Sequence, residues 1–220
     1  MRKCEVRRLG RTGYGEALAM QRELVDRRKA DLIPDQLLLL EHPHTITLGR
    51  NGRIENLLAP EETLRGAGIA FHETDRGGDI TYHGPGQIVG YPIVDLKQWK
   101  RDVGAFVRAI EEVMIGALAD FDIAAGRIPG CTGVWVDGRK IGAIGVHLSR
   151  WVSSHGFALN VNPSMSYYGY IVPCGLRKPV TSMAQLGSAA ETAAAGDALE
   201  KHFGRVFGCE MAQPAMETAI

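Results

Sequence analysis

The stretch VWVDGRKIGAIGVHLSRWVSSHGFALNV, Val134 to Val161, decides how this chain folds. Val134 to Val136 and Lys140 to Leu148 are extended runs on either side of Asp137-Gly138, a dipeptide that accepts positive φ at both central positions of a tight hairpin. Trp151 to Val161 adds another strand. Successive strands joined by short turns pair antiparallel, so this region argues against a repeating βαβ pattern.

Working outward, Asp102 to Asp120 carries an apolar stripe (Val103, Phe106, Val107, Ile110, Val113, Met114, Ala117, Leu118) at helical spacing, which is a core-packing face. Tyr14, Leu18, Gln21, Leu24 and Val25 place an amphipathic helix over Gly15 to Lys29, closed shortly afterwards by Pro34. Gln36 to Glu41 reads as a buried strand, His42-Pro43-His44 interrupts it, and Thr45 to Leu48 resumes an extended pattern. Pro60 to Arg65 opens with proline and acids, as a short helix does. Strands are expected at Ile69 to Phe71 and Ile88 to Val94, and an alanine-rich helix at about Glu191 to Phe207. The last dozen residues read as a ragged tail. With no linker or internal repeat in view, the expectation is one α+β domain over residues 1–220.

Composition narrows the function. Apolar residues make up 45% and charged residues 23% of the 220, and 25 Lys and Arg balance 25 Asp and Glu. No global field therefore favours nucleic acid or an anionic membrane. The 27 glycines exceed the usual share of about 7%, so many backbone positions need tight turns or close approach to a ligand. Cys4, Cys131, Cys174 and Cys209 form no CxxC pair, the start of the chain lacks the apolar core of a secretory signal, and Leu37 to Leu40 is too short to cross a bilayer. Free thiols in a cytoplasmic protein are expected; the Arg-rich opening leaves a mitochondrial address open.

Chemistry concentrates at three places. Arg76 to Gln87, RGGDITYHGPGQ, sets polar and aromatic side chains among glycines whose N–H groups a ligand can approach; neither GxGxxG nor GxxxxGK[ST] is present, so the nucleotide motifs are not met. The run reads equally as a ligand-binding loop or as an ordinary turn. Lys140 heads the small, apolar strand Ile141-Gly142-Ala143-Ile144-Gly145. Cys174 lies in a Pro/Gly turn, Pro173-Cys174-Gly175. Taken singly, the lysine reads as a strand-edge residue and the cysteine as a small buried hydrophobe. Their combination carries more weight: an ammonium beside a thiol stabilises the thiolate and draws the thiol's ordinary pKa of about 8.5 toward neutrality. Gly142, Gly145, Gly156 and Ala158 either leave a slot for a narrow aliphatic chain or permit close packing. His42, His44, His72, His83, His147 and His155 match neither HExxH nor a Cys/His finger spacing, and we expect no metal.

The blocks RGGDITYHGPGQIVGYPIVDL (Arg76 to Leu96), TGVWV (Thr132 to Val136), KIGAIGVHLSRWVSSHGFALNV (Lys140 to Val161), and PCG with TSM downstream (Pro173 to Gly175, Thr181 to Met183) resemble the octanoyl-[acyl carrier protein]:protein octanoyltransferases, also called lipoate-protein ligase B. The resemblance spans about Leu37 to Leu186. It implies an α+β fold of the biotin/lipoate protein ligase kind (class II synthetase-like), a mixed, largely antiparallel sheet flanked by helices. It implies that Cys174 is the acyl-thioester nucleophile, that Lys140 is its proton-shuttling partner, and that no cofactor takes part. Arg76, Gly77, Gly78, Asp79, Ile80, Thr81, Tyr82, His83, Ala143, Ile144, Gly145, Gly156, Phe157 and Ala158 would line the acyl site. The donor would be octanoyl-acyl carrier protein, and the acceptors the lipoyl domains of 2-oxoacid dehydrogenase E2 subunits and the glycine cleavage H protein, with the enzyme acting as a monomer. His147 stands where the resemblance leads us to expect arginine. An acidic carrier calls for a basic docking patch, for which Arg2, Lys3, Arg7, Arg8, Arg11, Arg177 and Lys178 are candidates beside the plain reading of solvated surface charge. Three alternatives stay open: an ATP-dependent ligase on the same fold, a non-catalytic binding module, and a histidine metalloenzyme.

Overall fold

The computed structural model describes residues 1–172 and 178–214. In chain order it contains β1 (Arg2–Arg11), α1 (Tyr14–Lys29), β2 (Asp35–Glu41), β3 (Thr45–Leu48), α2 (Glu61–Gly66), β4 (Ala70–Glu73), β5 (Ile80–His83) and β6 (Gln87–Ile93). Then follow α3 (Val103–Ala119), β7 (Gly126–Ile128), β8 (Cys131–Val136), β9 (Arg139–Ser149), β10 (Val152–Asn160), α4 (Thr192–Phe207) and β11 (Cys209–Ala212).

Among the described residues the strands form an eight-stranded sheet in the order β11-β1-β2-β6-β10-β9-β8-β7 and a three-stranded sheet in the order β4-β3-β5. In the larger sheet β1 runs parallel to both β11 and β2, and every other pairing is antiparallel. The sheet is mixed and largely antiparallel, flanked by helices. Asp137 and Gly138 both take positive φ, 48° and 75°, and join β8 to β9 as the sequence predicts. The next turn, Arg150-Trp151, also takes positive φ at both residues, 51° and 71°, without the glycine that would relieve it.

The large sheet is buried on both faces. Leu37 and Leu39 pack with Phe106, Ile110, Met114, Leu199 and Phe203 of α3 and α4. Leu38 and Leu40 pack with Ala17, Leu24 and Val25 of α1. A strand covered on both sides needs no polar alternation, which is why four consecutive leucines serve here. A third cluster, Ile46, Leu64, Ile80, Tyr82, Tyr168 and Ile171, fills the small sheet. Local signals end the helices on cue: Asp102 accepts the N–H of Ala105 at 2.9 Å at the start of α3, and Gly208 follows α4 with φ 61°, the left-handed stop favoured by glycine.

Four strands differ from the sequence reading. The tail expectation is corrected at Cys209–Ala212, which pairs with β1 through Arg2↔Cys209 to Glu5↔Ala212. β1 escapes notice because its core face offers Cys4 and Val6 alone among charges, and β7 is three residues long. Within the glycine run, β5 is a fully buried strand rather than loop. Pairing along β1 also alters the proposed basic patch: Arg2 bridges Asp35 at 3.2 Å, Arg7 donates to Gln36 at 3.0 Å, and Arg8 bridges Asp197 at 2.7 Å.

The α4 packing gives a direct test. Phe203 is 1% exposed and stacks on Phe207 with ring centroids 4.2 Å apart. Phe203→Ala is expected to cost about 3 to 5 kcal/mol, the range for deleting a buried aromatic ring, measured by urea unfolding.

Candidate functional site

The glycine run meets the large sheet through backbone contact. Gly77 donates its N–H to the Val146 carbonyl at 2.9 Å, and a Cβ on Gly145 would stand 2.6 Å from the Gly77 oxygen. Gly156 likewise has no room for a Cβ, which would strike the Gly90 carbonyl. Gly142 faces the opposite way, where a Cβ would lie 2.8 Å from the Met114 sulfur. Gly142 therefore serves close packing, whereas Gly145 and Gly156 permit close packing and also line a cavity. Beside them Ala143, Ile144, Phe157 and Ala158, with Val89 and Tyr91 of β6, line the same cavity, of about 210 Å³. Its other wall is Arg76, Gly78, Asp79, Ile80, Thr81 and His83, and Lys140, Gly130, Cys131 and Thr132 also border it.

Arg76 is buried, and its guanidinium reaches away from the loop to β3. Nη2 donates to the Thr47 carbonyl at 2.7 Å and to Thr47 Oγ1 at 2.8 Å, and Nη1 donates to the Gly77 carbonyl at 3.1 Å. Asp79 ties the run to the loop that follows β3, accepting the N–H of Arg53 at 3.1 Å and the Asn56 amide. His83 Nδ1 lies 2.7 Å from Gln87 Oε1, so Nδ1 donates and Nε2 keeps its lone pair. Gln87 Nε2 donates onward to Asn160 Oδ1 at 2.9 Å, and Asn160 Nδ2 to the Thr181 carbonyl at 2.9 Å. Thr181 N in turn donates to the Lys140 carbonyl at 2.8 Å, and Lys140 N to the Pro179 carbonyl at 2.9 Å. The network joins segments up to a hundred residues apart around one cavity.

The Lys140 ammonium sits 4.8 Å from the Trp135 ring centroid, and Lys178 Nζ lies 5.2 Å from the same ring. Lys178 also donates to Cys131 Sγ at 3.5 Å. A desolvated cation over an indole face is an attractive arrangement, and it holds the lysine at the cavity edge. Burial pushes the imidazole of His83 down to about 3 and that of His42 down to about 4. Burial likewise raises the Tyr14 and Tyr91 hydroxyls above their ordinary range. The His83, Tyr14 and Tyr91 rings on the cavity wall are thus neutral at pH 7.

A model of the lipoyl protein ligase A/B catalytic domain matches residues 13–204. The chain belongs to this family. The octanoyltransferase of Solibacter usitatus is 63% identical over 211 residues, covering 96% of both chains. Among solved structures, the bipartite lipoate protein ligase of Thermoplasma acidophilum, described with its E2 lipoyl domain, superposes with a TM-score of 0.80 at 13% identity, over 99% of this chain and 89% of that one. A biotin protein ligase of Aquifex aeolicus, in complex with biotin and ATP, gives 0.56 at 11% identity over 94% and 71%. The lipoyl ligase A/B fold is therefore the fold of this chain.

Within this family fold, two of the expected lining residues lie off the cavity. Tyr82 faces the small-sheet core, its ring 5.2 Å from Tyr167 and its hydroxyl 2.7 Å from His44 Nδ1; alternation along β5 puts it opposite Thr81 and His83. Gly77 is taken up by its bond to β9. Cys174 and Arg177 fall outside the described residues. Tyr14, Val89, Tyr91, Gly130, Cys131, Thr132 and His155 line the cavity without having been singled out for it. His155 has a signal in hindsight: it precedes Gly156 and takes φ 54° on a strand, and its Nε2 is 2.8 Å from Asp75. Among the described residues no group of three or more His, Cys, Asp or Glu is arranged to hold a metal ion, and no helix is long and apolar enough to cross a membrane.

The buried histidines predict acid sensitivity. In the fold His42 and His83 protonate near pH 4 and 3, whereas an unfolded chain protonates its histidines near 6.5. Between those limits the unfolded state binds more protons, so stability is lost as pH falls below about 6.5, by up to about 1.4 kcal/mol per pH unit for each histidine. His83→Gln is expected to flatten the dependence of the denaturation midpoint between pH 6 and 4 by about one proton; an unchanged slope would show that His83 is not held neutral.

Proposed function

We propose that the protein is an acyltransferase that moves an octanoyl group from the thioester of octanoyl-acyl carrier protein to the lysine amine of a lipoyl domain, through a thioester on Cys174. The observation that carries this reading is a cavity with an apolar wall of Ala143, Ile144, Phe157 and Ala158, with the Lys140 ammonium at its edge. Family membership and the octanoyltransferase relative support it. The described chain on either side of Cys174 is anchored nearby: Val172 N donates to the Asn56 carbonyl at 2.8 Å, and Pro179 accepts from Lys140 N at 2.9 Å.

In this mechanism the Cys174 thiolate adds to the octanoyl carbonyl carbon, and the tetrahedral intermediate collapses by expelling the carrier thiolate, which takes a proton from Lys140. A lipoyl-domain amine then adds to the Cys174 thioester, gives its proton to the Lys140 amine, and the C–S bond breaks to restore thiolate and ammonium. The exchange between thioesters is nearly balanced and the amide lies downhill, so no nucleotide is consumed. E2 lipoyl domains and the H protein of glycine cleavage are the acceptors, and the 220-residue chain acts as a single catalytic domain and a monomer in the cytoplasm.

Incubation with octanoyl-acyl carrier protein should add one octanoyl group to the intact mass, mapped to Cys174 and released by hydroxylamine. Cys174→Ser should abolish turnover, whereas an ATP-dependent ligase would survive it. Lys140→Ala should lower turnover about a hundredfold or more, the usual contribution of a proton carrier, and move the pH profile of Cys174 alkylation upward. An unmoved profile would make Lys140 structural.

A further inference from the structure

Lys140 reaches the cavity because β9 breaks its own alternation. Gly145 faces the glycine run, and Ala143, two residues earlier, shares that face. Regular pleating would turn Lys140, three positions from Ala143, toward α3 and α4. Instead it borders the cavity and lies over Trp135. The register supplies the reason: Val134 opposes Gly142, but Trp135 opposes Lys140. Ile141 is thus the extra residue of a bulge, and both Ile141 and Gly142 turn to the helix layer, the first into the core and the second against Met114. One inserted residue inverts the parity of the strand and re-aims the lysine.

The opposite strand is shaped to match. Gly133 takes φ 118°, and a Cβ there would lie 2.6 Å from the Gly142 oxygen and 3.4 Å from Lys140 Cε. Its N–H donates to Glu111 Oε1 of α3 at 3.0 Å. Glu111 is 5% exposed, and its other oxygen accepts from Arg127 Nε at 2.9 Å. A buried carboxylate held by an arginine is a strong, fixed acceptor.

We propose that Glu111 is a positioning residue for the proton carrier: through the Gly133 N–H it fixes the β8–β9 bulge that turns the Lys140 amine into the cavity. The inference rests on the proposed role of Lys140. Glu111→Asp keeps the charge and withdraws the acceptor by one methylene. With octanoyl-acyl carrier protein and a lipoyl domain as substrates, it is expected to lower kcat about ten- to a hundredfold, as small misplacements of a catalytic group do, with KM little changed. The pH profile of Cys174 alkylation should rise as it does for Lys140→Ala, and Glu111→Gln, which keeps an oxygen acceptor for Gly133, should restore most of the turnover. In a Lys140→Ala background Glu111→Asp should cost nothing further, because both changes act through one amine; a full additional loss there would overturn the proposal. Gly133→Ala probes the same bulge from the other strand should Glu111→Asp fold poorly. If Lys140→Ala leaves turnover unchanged, the reading of the lysine fails, and the crystal structure of the Glu111→Asp protein still decides the positioning. Lys140 should leave the Trp135 face in it, and its retention there overturns the role given to Glu111.

Discussion

The approach of the glycine run to β9 is the contact on which the cavity depends. Gly77 hydrogen-bonds to Val146 where Gly145 carries no Cβ, so two backbones meet at a distance that any side chain would forbid. That contact fastens the small sheet to the large one along one line. Ala143 and Ala158, whose side chains are short, line the cavity beside it. The slot is therefore a by-product of backbone proximity on one side and short side chains on the other.

The polar chain from His83 through Gln87 and Asn160 to Thr181 does a different job. It passes through buried groups, each with a partner, and such networks specify one arrangement because a broken link leaves an unsatisfied polar atom in low dielectric. Its far end is the backbone of Lys140. Electrostatics follow from the same burial. The His83 imidazole on this path is held neutral, the Arg76 guanidinium is turned onto Thr47, and the Lys140 ammonium lies over an indole at the cavity edge. The result suits an uncharged chain with one ionisable amine at its edge.

Much of the architecture was legible. The Asp137-Gly138 hairpin, the stripe from Val103 to Leu118 and the four-leucine strand all carry their signal within a few residues, because turn chemistry and amphipathic period are local properties. β1 and β11 carried none: one is dense with arginine and the other is four residues long, and β1 is a strand because it pairs with β2, as β11 is because it pairs with β1. Arg2 and Arg8 look like parts of a docking patch in sequence and form ion pairs in the fold, with acidic partners Asp35 and Asp197 that are distant along the chain.

The sequence by itself determined the fold class, the family and the short list of chemically capable residues, since those are written in composition, turn residues and four ordered motifs. Tertiary structure alone decided which way each residue faces. Tyr82 and Thr81 are neighbours in the chain and lie on opposite sides of β5, and Lys140 joins Ala143 on one face only through the bulge at Ile141. The physical reason is that a strand's side-chain period is two: a single inserted residue reverses every assignment beyond it, and the partner strand, not the local sequence, sets where that insertion is tolerated.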